Sequence, residues 1–127
     1  METDTWLWII AGFVAAIFLG TGLLQLTTSR ERLVEAGLGW AGDFSEETIR
    51  TIGVLELLGA VGLVLPPVLG ILPVLAPLAA TGLALLMVGA IVVHVRRGEV
   101  LPEALRALAL VVLCVVIATY RFGPEAF

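Results

Sequence analysis

"IGVLELLGAVGLVLPPVLGILPVLAPLAATGLALLMVGAIVV", residues 52–93, holds a single ionisable side chain, Glu56, and residues 57–93 carry no Asp, Glu, Lys or Arg. Water is a poor solvent for such a stretch, and the rest of the chain does not compensate. A soluble domain has roughly 45–50% apolar residues and about 25% charged ones. Here 60% of the 127 residues are hydrophobic and 14% are charged, with a mean hydropathy of +1.10. That is too little polar side chain to coat a sphere in water, so the lipid bilayer is the expected surroundings and first partner of the chain.

Crossing a hydrocarbon core about 30 Å thick takes roughly 20 helical residues at ~1.5 Å each. Four segments fit: about 6–26, 49–65, 74–95 and 101–120. Backbone groups in lipid must be satisfied internally, and no segment shows the alternation of a barrel strand. The expected fold is therefore all-α, an integral membrane four-helix bundle forming one domain over 1–127. The N-terminal "METDTWLWIIAGFVAAIFLG" carries Glu2 and Asp4 where a signal peptide is basic, and its apolar run is long. It is expected to be a retained span.

The breaks between spans have local causes. Asp43 followed by Glu46 reads as a capping box opening the second helix, with Ser45 as a rival N-cap. "PPVLGILP", residues 66–73, stops that helix and forms an apolar hairpin. Gly98 closes the third helix, and Pro102 suits the first turn of the fourth. The first connection is the longest. Arg30 to Ala36 suits a short amphipathic turn that rests Leu33, Val34, Leu38 and Trp40 on the bilayer surface, or else the segment is a solvated loop.

All seven basic residues are arginines. Arg30, Arg32 and Arg50 lie in or beside the first connection, and Arg96, Arg97 and Arg106 in or beside the third. Only Arg121 falls on the opposite side. The positive-inside rule then places connections 27–48 and 96–100 in the cytoplasm and both termini on the outer side of a plasma or inner membrane. Trp6, Trp8 and Tyr120 fall together at the outer interface. The formal net charge of −4 offers no footprint for nucleic acid. The single cysteine, Cys114, lies in an apolar run and reads as a small hydrophobe.

Each span contributes one strong polar group at a similar depth near the arginine-rich side: Gln25, Glu56, His94 and Arg106. Glu56 lies some 9 Å beyond Arg50 at helical rise. Gly53, Gly59 and Ala60 flank it at i−3, i+3 and i+4, so its face suits close helix packing and not lipid. Gly12, Ala16 and Gly20 form a second small-residue stripe, for neighbouring helices or for a partner protein. An ionised group deep in a span costs on the order of 3 kcal/mol on insertion scales. Pairing with Arg106 or His94, or retention of the proton, would reduce that cost. The four groups form either a polar clamp between helices or a site for a ligand or a proton. His94 has no second histidine or cysteine nearby in sequence, and no metal set is predicted.

"GVLELLGAVGL" at 53–63, "LAATGL" at 78–83 and "GAIVVHVRRGE" at 89–99 together resemble the DoxX-like family of small four-span membrane proteins over roughly residues 5–122. The resemblance implies a four-helix membrane bundle and maps the family's glutamate and histidine onto Glu56 and His94. The family name comes from a subunit of a thiosulfate:quinone oxidoreductase, and distant relatives assist membrane-protein assembly or trafficking. The leading functional expectation is a non-catalytic accessory protein. It would bind a partner subunit, a second copy, or a lipophilic ligand such as a quinone at the polar cluster, with no other cofactor evident. The alternatives are a proton-coupled small transporter and a membrane enzyme with Glu56 and His94 as its acid/base pair on a lipid-like substrate.

Overall fold

A computed structural model describes residues 2–127. It is a helical chain with no strand among the described residues: α1 (Glu2–Thr27), α2 (Arg30–Glu35), α3 (Glu46–Leu69), α4 (Leu75–Arg96) and α5 (Leu105–Phe122). A 3-10 turn (Gly39–Asp43) follows α2, and a wide π-type turn (Val100–Ala104) leads into α5. Among the described residues four helices are long and apolar enough to cross a membrane: α1, α3, α4, and α5 together with its leading turn. Large apolar side chains such as Phe13, Leu58, Leu85 and Val112 stand exposed around the bundle, as lipid-facing positions require.

Local chemistry explains where the helices start and stop. Ser45, not Asp43, caps α3: its hydroxyl accepts from the Thr48 amide at 3.2 Å. Asp43 lies in the preceding turn, where it serves a different partner. The prolines do not end α3 as expected. Pro66 and Pro67 fall in its final turn, and the helix runs on to Leu69 although neither can donate to the carbonyl four residues before it. Gly70 then adopts a left-handed φ of 68°. The amides of Gly70 and Ile71 close back on Pro67 O at 3.2 Å and Pro66 O at 3.0 Å, the paired bonds of a Schellman stop. At the other hairpin-like junction Pro102 forces Leu101 into extended backbone (φ −123°, ψ 133°), so the regular part of α5 begins later than the apolar pattern suggests.

The helices pack in the cyclic order α1–α3–α4–α5, with α1 and α5 touching least. Val14, Phe18, Leu63, Leu83, Cys114 and Ile117 form the central core. The short turn expected at Arg30 to Ala36 forms as α2, and most of the apolar residues of the first connection turn inward. Leu33 is fully buried with Ala41 and Ile49, and Leu38, Trp40 and Phe44 pack over them as a small second core. Val34 alone of the expected surface set is well exposed. Ser29 caps α2 through the Arg32 amide, and the Arg30 guanidinium donates to Ala41 O and Gly42 O, tying the turn to the helix.

Candidate functional site

Glu56 sits one helical turn beyond Gly53 on the face of α3 that meets α1. Gly53 lies against Gly22: a Cβ on Gly22 would stand 2.8 Å from Gly53 O, and one on Gly53 would stand 3.0 Å from Gly22 O. Only residues without side chains let the two backbones come that near, and small residues at a membrane interface serve this purpose. The close approach brings Glu56 (3% exposed) within reach of α1. Gln25 Nε2 donates to Glu56 Oε2 at 2.9 Å, and the Thr21 hydroxyl bonds Glu56 Oε1. Thr21 and Gln25 are four residues apart, so they stack on one face of α1 and grip the two carboxyl oxygens separately.

Of the four residues expected to meet, the structure joins Gln25 and Glu56 alone. His94 turns away to Glu99, with Nδ1 and Oε1 3.0 Å apart. That pair forms because Gly98 takes a left-handed φ of 76° and folds the chain back over the end of α4. Arg106 is exposed on α5 and makes no ion pair with Glu56. The acid/base pair that lipid chemistry would need, Glu56 with His94, is therefore not formed. The small residues divide as well. Gly59 packs on Leu83 of α4, and Ala60 is 1% exposed in the core. Gly12, Ala16 and Gly20 face outward, and a Cβ at either glycine would meet nothing within 4 Å.

The structure widens the set of polar residues at work. Thr21, one turn above Gln25 on the same face of α1, completes the Glu56 clamp. Arg97, read only as a topology anchor, joins the two connections at the same end of the bundle: it donates to Asp43 Oδ2 at 2.5 Å and to Glu99 Oε1 at 3.2 Å. The Glu99 carboxyl is held below the usual carboxylate range, first by the His94 hydrogen bond, which desolvation opposes, and then by the hydrogen bond and charge of Arg97. At the opposite end Arg121, its side chain 4% exposed, donates to Asp4 Oδ1 and to Glu125 O, each at 2.8 Å. Its guanidinium lies 3.9 Å from the Phe127 ring centre and 5.8 Å from that of Trp8. Trp8 is thus part of an internal stack and not simply of an interfacial belt.

One polar atom in the interior stands out. Gln25 is 6% exposed, and its Oε1 is buried with no donor among the described residues. Every other fully buried side-chain nitrogen or oxygen among them has a partner. Among the same residues no three His, Cys, Asp or Glu side chains gather closely enough to hold a metal ion.

No curated protein and no solved structure matches this chain. The glutamate set among small residues, the histidine at the end of α4 and the greater part of all four membrane-length helices fall inside one family match at residues 9–119, and by that match the chain, a multi-pass membrane protein, belongs to the DoxX-like family.

Proposed function

We propose that the protein is a non-catalytic accessory membrane protein that seats the polar head of a lipophilic molecule, a quinone-like compound among the candidates, against Glu56 and Gln25. The observation that carries this reading is the unpartnered Oε1 of Gln25 beside the Glu56 carboxyl. Buried polar atoms are nearly always paired, and an orphan at a helix interface is a natural place for an external group. The accessory role follows from the chemistry around it: Glu56 is engaged by a threonine and a glutamine, neither a catalytic partner. The outward stripe Gly12–Ala16–Gly20 leaves α1 a smooth face for a membrane-protein partner or a second copy. The arginine pattern favours connections 27–48 and 96–100 in the cytoplasm.

Mass spectrometry of small molecules retained after purification in mild detergent tests the reading. Wild-type protein is expected to carry a lipophilic compound that Glu56→Gln and Gln25→Met lose while remaining folded. Equal retention by all three proteins would remove the site, and turnover of a lipid by the isolated protein would replace the accessory role with an enzymatic one.

A further inference from the structure

The orientation of the Gln25 amide sets the chemistry of whatever meets it. Nε2 donates to Glu56 Oε2 at 2.9 Å, while Glu56 Oε1 is taken by Thr21. Against an ionised Glu56, turning the amide over would set its oxygen against the carboxylate oxygen that Nε2 now satisfies. Oε1 is therefore held away from Glu56 as a pure acceptor, and it has no donor. A buried acceptor left unmet has given up its bonds to water with nothing in return. The surroundings favour an apolar visitor. Leu23 and Leu24, the residues just before Gln25, are exposed on α1, and Thr21 is exposed although its partner Glu56 is buried. Through Thr21, which shares the face of Gln25, the clamp borders the lipid-facing surface of α1, with Gln25 Oε1 enclosed just behind it.

We propose that Gln25 Oε1 accepts a hydrogen bond from the hydroxyl of a lipophilic molecule lying along α1. This rests on the ligand reading above and narrows it: the head must carry an O–H donor. A head with carbonyl acceptors alone leaves Oε1 as it was. A long-chain alcohol, a sterol or a phenol shares the required chemistry, whereas an ether or an ester does not.

The test uses the full chain in detergent with 1-tetradecanol and its methyl ether as probes, their binding followed by native mass spectrometry. The alcohol is expected to bind about fivefold or more tightly than the ether, the worth of one neutral hydrogen bond. Gln25→Met is expected to abolish the preference, and Val112→Ala, on the exposed face of α5, to keep it. Gln25 is the single glutamine of the chain, so 13C-labelled glutamine gives a site-specific infrared band in the unmutated protein. The side-chain carbonyl band is expected to move to lower frequency with the alcohol and not with the ether. Equal affinity for the two probes, or alcohol binding without a band shift, would overturn the donor assignment and leave a lipophilic site standing. Binding of neither probe, with no retained compound, would overturn both, and solvent would then be the donor to Oε1.

Discussion

Gly22 and Gly53 face each other across the α1–α3 interface so closely that a methyl group on Gly22 would sit 2.8 Å from Gly53 O and 3.0 Å from Leu57 Cγ. The contact sets the distance at which Glu56 meets Thr21 and Gln25. Helix association in lipid gains nothing from hydrophobic exclusion, so packing of this kind and interhelical hydrogen bonds hold the pair together.

Gly22→Ala is expected to push α1 off α3 and destabilise the fold by about 1–3 kcal/mol, the usual cost of overpacking. Gly12→Ala, with open space at its Cβ, is expected to be neutral or stabilising by a few tenths of a kcal/mol, roughly as a compatible Gly→Ala change behaves. Unfolding in mixed micelles with increasing SDS reads both. Equal effects would mean that α1 does not seat on α3 through Gly22.

Glu56→Leu strands the Gln25 amide at a buried interface, takes one acceptor from the exposed Thr21 hydroxyl, and is expected to cost about 1–3 kcal/mol. Adding Gln25→Leu removes a stranded group, so the double variant is expected to be more stable than Glu56→Leu alone. Glu56→Gln, which keeps an acceptor for Thr21, is expected to be milder than Glu56→Leu. A double-mutant cycle on the same unfolding assay measures the coupling. Strict additivity would show that the two side chains do not interact.

At the opposite end, Arg121 links α5 to α1 through Asp4 and holds the C-terminal residues through Glu125 O and the Phe127 ring. Arg121→Gln is expected to cost about 1–3 kcal/mol, because it removes a charge-assisted bond and a desolvated cation–π contact together. Hydrogen exchange at the amides of 123–127 is expected to accelerate. Unchanged exchange would show that the arginine does not order this segment.

The Asp43–Arg97–Glu99–His94 junction is expected to respond to acid. The Glu99 carboxyl is held below its ordinary value in the folded chain, so the folded state binds protons less readily than the unfolded one. Its stabilising contribution is fully present above the ordinary carboxylate range and is lost as pH falls through the depressed value. Exchange at amides 97–104, corrected for intrinsic rates, is expected to rise below that range. Glu99→Gln is expected to flatten the dependence. A rise on the alkaline side instead would point to a different titrating group.

Much of this architecture was legible in the residues. The four spans follow from composition because lipid tolerates only long apolar helices. The packed face of Glu56 followed from Gly53, Gly59 and Ala60, since small residues at helical spacing mark close approach. The ends of helices were read less well. Whether Asp43 or Ser45 caps α3 depends on which oxygen reaches the Thr48 amide, and its end is set by the left-handed turn at Gly70 and not by the proline pair. Arg121 gave no sign of burial, because its partners Asp4 and Phe127 lie at the other end of α1 and beyond the end of α5.

The expected convergence of Gln25, Glu56, His94 and Arg106 marks the boundary between the two kinds of knowledge. Residue counting along a span determines depth, because a helix rises a constant ~1.5 Å per residue from a boundary that the charges announce. Sequence thereby determined that this is a four-span membrane bundle with polar groups gathered near one end. Which way each group points depends on the rotation of its helix about its own axis, and that rotation is set by neighbours. The Gly22–Gly53 contact turns Glu56 toward α1, the reversal at Gly98 draws His94 to Glu99, and Arg106 is left facing outward. Tertiary structure decided the direction each polar group faces, because in lipid that direction is fixed by how closely two particular backbones can approach.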